Sequence, residues 1–450
     1  MQKHEGEMMP ELKDKKTALE GGKPVRTEPL PLEFPGAHYY DQEEVDAAVR
    51  VLKSRSPYRY YGLDHQREAE TFEKEFAAFL GVPYAVAVSS GTGALHVALS
   101  VLGVGPGQEV IIPAYMWVSV IAAVVNHGAI PVLADIDETF GLNPAAVEKQ
   151  ITPRTVGIIV VHMSGAPVDV QEIRKVARAH KIFLLEDCAQ CCGGRVGGQP
   201  VGTFGDMGIY SFQLNKNMTS GEGGCVVTSD EKLYQRAVAA QDLGYARDSK
   251  GRLIEDDPNL RLWGRGYRMD EIRAAVLRVQ LRKLPRVIES MHRSKYRIRK
   301  ALEKFPQVQL RRIVDSAGDT GCFLITTYAD AATARDVCRA LRAEGIVTYP
   351  QGLTNIVMPD WGLHLYTNNT SLLKRSSVDA HGFPWNLAEN SESNPSYERG
   401  TCPVADSLFE RSIIIAIPSC LTPRDEEEII RAFEKVLSKV HVSSAQGNAG

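Results

Sequence analysis

Asp187 and Lys216 are the two residues whose types and spacing carry the clearest chemistry in this chain. Asp187 stands just past an apolar run, Ile182–Leu185. Lys216 lies in a polar, glycine-flanked stretch, SFQLNKNMTSGEGG, that runs from Ser211 to Gly224. A lone lysine is most often a surface residue, but few charges surround this one. A lysine held in apolar or cationic surroundings loses pKa and becomes a usable nucleophile and base. A carboxylate beside a ring nitrogen favours the protonated ring. Together they are the pair that pyridoxal 5'-phosphate requires: an amine to form a Schiff base with its aldehyde, and an acid to face its pyridinium.

Other residues fit the same chemistry. Ser89-Ser90-Gly91-Thr92-Gly93-Ala94 follows one apolar run and opens another. Small residues there let a phosphate approach the free N–H groups of a helix N-terminus, although an ordinary helix cap reads the same way. Ser211 adds a hydroxyl, five positions before Lys216. Trp117 is either a ring to lie against the cofactor or a core tryptophan. Gln190, three residues beyond Asp187, is either a donor to the cofactor's phenolic oxygen or a loop amide with a local partner. His162 is either a residue lining the substrate site or a packed, hydrogen-bonded histidine. Cys188, Cys191 and Cys192 contain one CxxC pair without a second nearby, so they are expected to pack as small side chains and no metal site is expected.

The elements that must position these residues alternate. Strands are expected at Tyr84–Val88, Val110–Ile112, Ile130–Ala134, Val156–Val161, Ile182–Leu185, Met207–Tyr210 and Cys225–Thr228. Helices are expected at Asp41–Ser54, Glu68–Leu80, Thr92–Leu102, Val118–Asn126 and Val170–His180, then from Glu231, at Asp270–Leu284 and at Glu289–Phe305. Short apolar strands alternating with helices imply an α/β fold with a mostly parallel sheet covered on both faces. Ligands of such sheets bind beyond the carboxyl ends of the strands. A smaller α+β unit follows, with strands at Phe323–Tyr328 and Ile413–Ile417 and helices at Ala331–Glu344 and Glu426–Val440. Between them Gly352–Gly400 is aromatic and polar with weak periodicity, a length of loop that usually carries function or is disordered. The division expected is a disordered tail over residues 1–28, a large domain over 29–305, a small domain over 306–442 and a tail over 443–450.

Composition narrows the class. The 450 residues suffice for two domains, and 44% hydrophobic with 24% charged residues is the balance of a soluble globular protein. A formal net charge of -3 gives no reason to expect nucleic acid or an anionic membrane as a partner. The 8 cysteines lack the density of a disulfide scaffold, and Met1–Arg26 has no apolar signal core, so a reducing cytoplasm is expected. The apolar stretch Val110–Ile136 is broken by Pro113, His127 and Pro131, which reads as a buried strand-helix-strand and not a membrane span.

SSGTGALHVAL, PAYMWVS, EDCAQ, GTFGD and SFQLNKNMTSGEGG occur in this order. With these motifs the chain resembles the DegT/StrS family of pyridoxal phosphate-dependent sugar aminotransferases, of fold type I, over roughly Leu32–Val440. The wording around Lys216 and over Tyr397–Thr422 resembles most the branch that contains glutamine:scyllo-inosose aminotransferases of aminocyclitol antibiotic pathways. The resemblance implies a catalytic Schiff-base lysine at Lys216. It implies a phosphate held by Gly91, Thr92, Gly93 and Ser211, a ring stacked on Trp117, and Asp187 and Gln190 on the pyridinium and phenolic oxygen. It further implies a homodimer with sites at the interface. An amino group would pass from L-glutamine or L-glutamate to a keto-sugar or keto-cyclitol by ping-pong transamination, through pyridoxamine phosphate. Tyr61, His162 and Arg268 are the expected substrate contacts. Dehydratase members carry histidine at the lysine position, so Lys216 favours transamination. Another reaction on the same cofactor (lyase, dehydratase or bond-forming) is the alternative. A cofactor-binding regulator would need a DNA-binding module that the tails do not offer. One position departs from the family pattern GxNxR: Gly266 stands where the Asn reaches the neighbouring subunit's phosphate. A backbone N–H, Arg265 or Asn259 would have to substitute.

Overall fold

The computed structural model describes residues 16–248, 250–254, 262–348, 352 and 354–440. Its centre is a sheet of seven strands: β1 (Tyr84–Val88), β2 (Glu109–Pro113), β3 (Ile130–Ala134), β4 (Thr155–Val161), β5 (Phe183–Asp187), β6 (Met207–Ser211) and β7 (Gly224–Thr228). Their order is β1-β7-β6-β5-β4-β2-β3. All neighbours pair in parallel except β7, which runs antiparallel to both β1 and β6. The strands read as near-continuous apolar runs because helices cover both faces. Those helices are α1 (Gln42–Ser54), α2 (Glu68–Leu80), α3 (Gly91–Val101), α4 (Ser119–Asn126), α5 (Pro144–Gln150), α6 (Val170–His180) and α7 (Glu231–Ala240). Several start on the side-chain caps expected of Ser, Asn and Asp: Ser90 for α3, Asn143 for α5, Asp169 for α6 and Asp230 for α7. The stretch Val110–Ile136 is β2, α4 and β3, and no helix among the described residues is long and apolar enough to cross a membrane.

Two helices expected on either side of Pro285 are one, α8 (Glu271–Leu302), with the proline inside it. Leu284, Val287 and Met291 continue one buried stripe through the proline. Packing of that stripe outweighs the lost backbone bond.

The smaller unit is a four-stranded antiparallel sheet of β8 (Gln309–Leu310), β9 (Phe323–Thr327), β10 (Ile356–Val357) and β11 (Ser412–Ala416), in the order β8-β9-β11-β10. Helices α9 (Ala331–Ala343) and α11 (Pro423–Leu437) pack on it, with α10 (Pro403–Glu410) preceding β11. The division differs from the expected one at two places. Residues 16–28, assigned above to a disordered tail, dock on the small unit. Arg26 pairs with Asp425 at 2.7 Å and Glu428 at 2.6 Å, and the Ala18 and Val25 N–H groups donate to the Glu344 carboxylate. The long segment after β10 crosses from the small unit to the large one, with Trp361 still against Phe323 at 5.3 Å between ring centroids. Met358, Trp361, Leu365, Tyr366 and Tyr397 share a core with β2 and α4 of the large sheet. Only short turns form there, which explains its weak periodicity.

Candidate active site

The carboxyl ends of β1, β5 and β6 and the start of α3 open onto one cavity of about 420 Å³. Gly91, Thr92, Trp117, Asp187, Gln190, Ser211 and Lys216 all line it, residues that lie far apart in the chain.

The helix end is built for close approach. Ser90 caps α3 by accepting from the Gly93 N–H at 2.9 Å, and the Ala94 N–H reaches the Ser90 carbonyl at 2.9 Å. First-turn N–H groups have no intrahelical acceptor, so those of Gly91 and Thr92 are left for a ligand. Gly93, expected beside them, spends its N–H on the cap and does not line the cavity. A Cβ on Gly91 would lie 2.7 Å from the Ser211 Cβ, so glycine is what brings the helix end against that hydroxyl.

Asp187 ends β5 and is 2% exposed. One carboxylate oxygen accepts from the Ala189 N–H at 2.9 Å, and the other has no partner among the described residues. Burial pushes its pKa up; the Ala189 bond and the Lys216 charge oppose this. Burial pulls the Lys216 amine the other way, down from its ordinary value, against the Asp187 charge. Lys216 makes no ion pair with Asp187, so both face the cavity with space between them. Gln190 accepts from the Ser164 N–H at 3.0 Å through its carbonyl oxygen, which leaves its amide N–H groups as the free end. Trp117 is 42% exposed, with its ring tilted against His364 at 4.7 Å between centroids. These groups fit pyridoxal phosphate: N–H donors and a hydroxyl at one end, an unpartnered acid at another, an amine between, and an aromatic face.

His162 is fully buried and outside the cavity wall. Its Nδ1 accepts from the Val168 N–H at 3.2 Å, so Nε2 carries the proton and donates to Glu186 at 3.2 Å. Glu186 also accepts from the Gly202, Phe204 and Gly205 N–H groups. Glu186, His162 and Cys188 have the spacing of a metal cluster. Their hydrogen bonds account for them as a brace beneath β5, with Cys188, Cys191 and Cys192 packed in the same buried layer. Tyr61 is exposed and packs on Tyr58, and Arg268 pairs with buried Asp242; neither lines this chain's cavity. Gly266 has φ +70°, a conformation that favours glycine, and its N–H is taken by the Asp242 carbonyl at 2.9 Å. Arg265 lies against His96 at 3.3 Å, and Asn259 lies outside the described residues. Cys322 and Phe323 of the small unit, and Trp361 and His364 of the segment after β10, also line the cavity. The only hint of them in the sequence was that this segment is aromatic.

The sequence pattern of the DegT/DnrJ/EryC1/StrS aminotransferase family matches residues 40–359, and the chain belongs to that family. It is 40% identical over 279 residues to an L-glutamine:2-deoxy-scyllo-inosose aminotransferase of Streptoalloteichus tenebrarius, a match covering 59% of this chain and 63% of the relative. The chain thus spans less than two thirds of that relative's length. It is 35% identical over 324 residues to a GDP-perosamine synthase of Caulobacter vibrioides, covering 70% of this chain and 83% of that one. A solved 3-amino-5-hydroxybenzoic acid synthase superposes with a TM-score of 0.71 at 27% identity, covering 91% of this chain and 98% of the other.

Proposed function

We propose that the protein is a pyridoxal phosphate-dependent aminotransferase that moves an amino group from L-glutamine or L-glutamate to a ketone of a sugar or cyclitol. One observation carries this reading: Asp187 at the end of β5 and Lys216 in the turn after β6 face one cavity without pairing with each other. The cofactor, when bound, supplies the aldehyde and the electron-accepting ring. The Gly91 and Thr92 N–H groups and the Ser211 hydroxyl hold its phosphate. Asp187 would keep the ring nitrogen protonated with its free oxygen, Gln190 would donate to the phenolic oxygen, and Trp117 would lie against the ring. Lys216, its pKa lowered by burial, would carry the donor's Cα proton as general base and acid. The protein acts as a homodimer in the cytoplasm, with its sites at the interface. The relatives' names support the donor and the acceptor class.

The deciding measurement is the visible spectrum of the purified protein before and after L-glutamine or L-glutamate, with no acceptor present. A yellow band that bleaches to the pyridoxamine phosphate form is expected with at least one donor. A band unchanged by both would remove transamination from these donors as the reaction.

A further inference from the structure

The cavity has a second wall that neither the strand ends nor the family's motifs supply. Trp361 and His364 line it, and both lie beyond residue 359, where the family match stops. Backbone bonds fix their position: the Met116 N–H donates to the His364 carbonyl at 3.0 Å, and the Tyr366 N–H donates to the Ala114 carbonyl at 3.2 Å. These two bonds tie the segment to the loop that carries Trp117. His364 stacks on Trp361 at 4.3 Å between ring centroids and meets Trp117 at 4.7 Å on its other side.

The chemistry of His364 follows from its partners. Its Nδ1 lies 2.8 Å from the Trp361 carbonyl oxygen, which can only accept, so Nδ1 carries the proton. Nε2 is then a lone-pair acceptor, and it has no partner among the described residues. Burial holds the ring's pKa down to about 4, with the Lys216 charge acting in the same direction, so the ring is neutral near pH 7.

The charges around the cavity narrow the ligand further. Lys216 is the only cationic side chain among the described residues lining it, against the carboxylates of Asp187, Glu222 and Glu33. The arginines near enough in sequence to meet a diphosphate, Arg59, Arg265 and Arg268, are engaged elsewhere in this chain. Arg59 is paired with Glu73 at 2.5 Å, Arg265 lies on His96, and Arg268 is paired with Asp242.

Building on the aminotransferase reading above, we propose that Trp361 and His364 form the acceptor subsite, and that it takes an uncharged polyhydroxylated ring ketone. The Trp361 indole, 2% exposed and stacked on the imidazole, holds His364 in place, and His364 Nε2 accepts a hydrogen bond from one hydroxyl of the ketone. An acceptor-only nitrogen selects a hydroxyl donor and offers nothing to a phosphate oxygen. His364 is a specificity residue here, not a carrier of the transferred proton.

The test separates the two half-reactions in the full-length holoenzyme. L-glutamine or L-glutamate first bleaches the cofactor band. scyllo-Inosose is then added as the uncharged probe, with a nucleotide-linked keto-sugar in a parallel sample, and return of the band is followed. In the wild type, scyllo-inosose should restore the band and the nucleotide sugar should not. In His364→Phe the KM for scyllo-inosose should rise roughly 10-fold or more, the size of a lost buried hydrogen bond. The rate of the donor half-reaction should stay within about twofold. His364→Gln, which keeps an acceptor oxygen, should recover part of the loss. An unchanged acceptor KM in His364→Phe, equal losses in both halves, restoration by the nucleotide sugar alone, or restoration by neither ketone would each overturn the subsite. A wild-type band that no donor bleaches would instead overturn the aminotransferase reading on which it rests.

Discussion

The strand-end wall of the cavity and the wall supplied by residues 354–402 hold their functional side chains by different means. On the strand-end wall, each group sits where a strand or helix stops: Asp187 at the end of β5, Ser211 at the end of β6, Gly91 at the start of α3. The sheet's pairing fixes their positions. The opposite wall has almost no regular structure and is held from a distance. Asn390 donates to the carbonyls of Gly128 and Pro384 and accepts from the Gly107 N–H, and Tyr397 donates to the Pro131 carbonyl at 2.7 Å. Asp187 and Lys216 supply ionisable groups on the first side, while His364 on the second is neutral. Chemistry can thus be set on the first wall and the acceptor chosen on the second, with the Trp117–His364 contact as the place where the two meet.

The largest effect should come from the first wall. Lys216→Ala removes the proton carrier, and loss of general acid–base catalysis alone costs about 10²–10⁴-fold. Both half-reactions should fall together, measured as single turnovers, while thermal unfolding stays near that of the wild type. Full turnover in this variant would end the assignment. Asp187→Asn keeps the shape and removes the charge opposite the ring nitrogen. A charge-assisted hydrogen bond is worth about 1.5–3 kcal/mol, so turnover should drop roughly 10–100-fold, again in both halves.

That first wall was also the one the sequence made readable. Short motifs mark strand ends because a strand that stops, a glycine that allows close approach and a polar residue that caps a helix leave local signatures. Asp187, Lys216, Ser211 and the start of α3 could be placed from them. Gly93 and His162 could not be settled from the sequence for a local reason: the partners that occupy them, Ser90 Oγ and Glu186, depend on geometry and not on residue type. The continuous α8 was missed because proline is a local stop signal while a buried stripe is a tertiary one. Trp361 and His364 left only the aromatic character of their segment as a signal. Their positions depend on bonds to residues some 250 positions away, such as the Met116 N–H to the His364 carbonyl.

Breaking the remote anchor should therefore affect the second wall alone. Asn390 is buried, and Asn390→Ala leaves the Gly107 N–H and two carbonyls without their partner. The expected loss is on the order of 3 kcal/mol of stability by denaturant titration. The acceptor KM should rise several-fold while the donor half-reaction holds. A donor defect of equal size would mean that the walls are coupled.

The smallest expected effect is a pH dependence of stability that belongs to His364. Its pKa falls from an ordinary 6.5 to about 4 in the folded chain, through burial first and the Lys216 charge in addition, against the Trp361 carbonyl bond. Because the folded value is depressed, the unfolded chain binds the extra proton between those values. The contribution is complete above pH 6.5 and is lost as pH falls towards 4. Asp187 acts in the opposite sense, since burial raises its pKa and its folded form takes up the proton first. Comparing His364→Phe with the wild type cancels that background. The variant should gain about 1 kcal/mol relative to the wild type between pH 6.5 and pH 5, allowing for partial solvent screening. Denaturant midpoints at the two pH values measure it. A difference that does not change with pH would mean that His364 is protonated equally in both states, and the neutral, acceptor-only ring on the second wall would have to be abandoned.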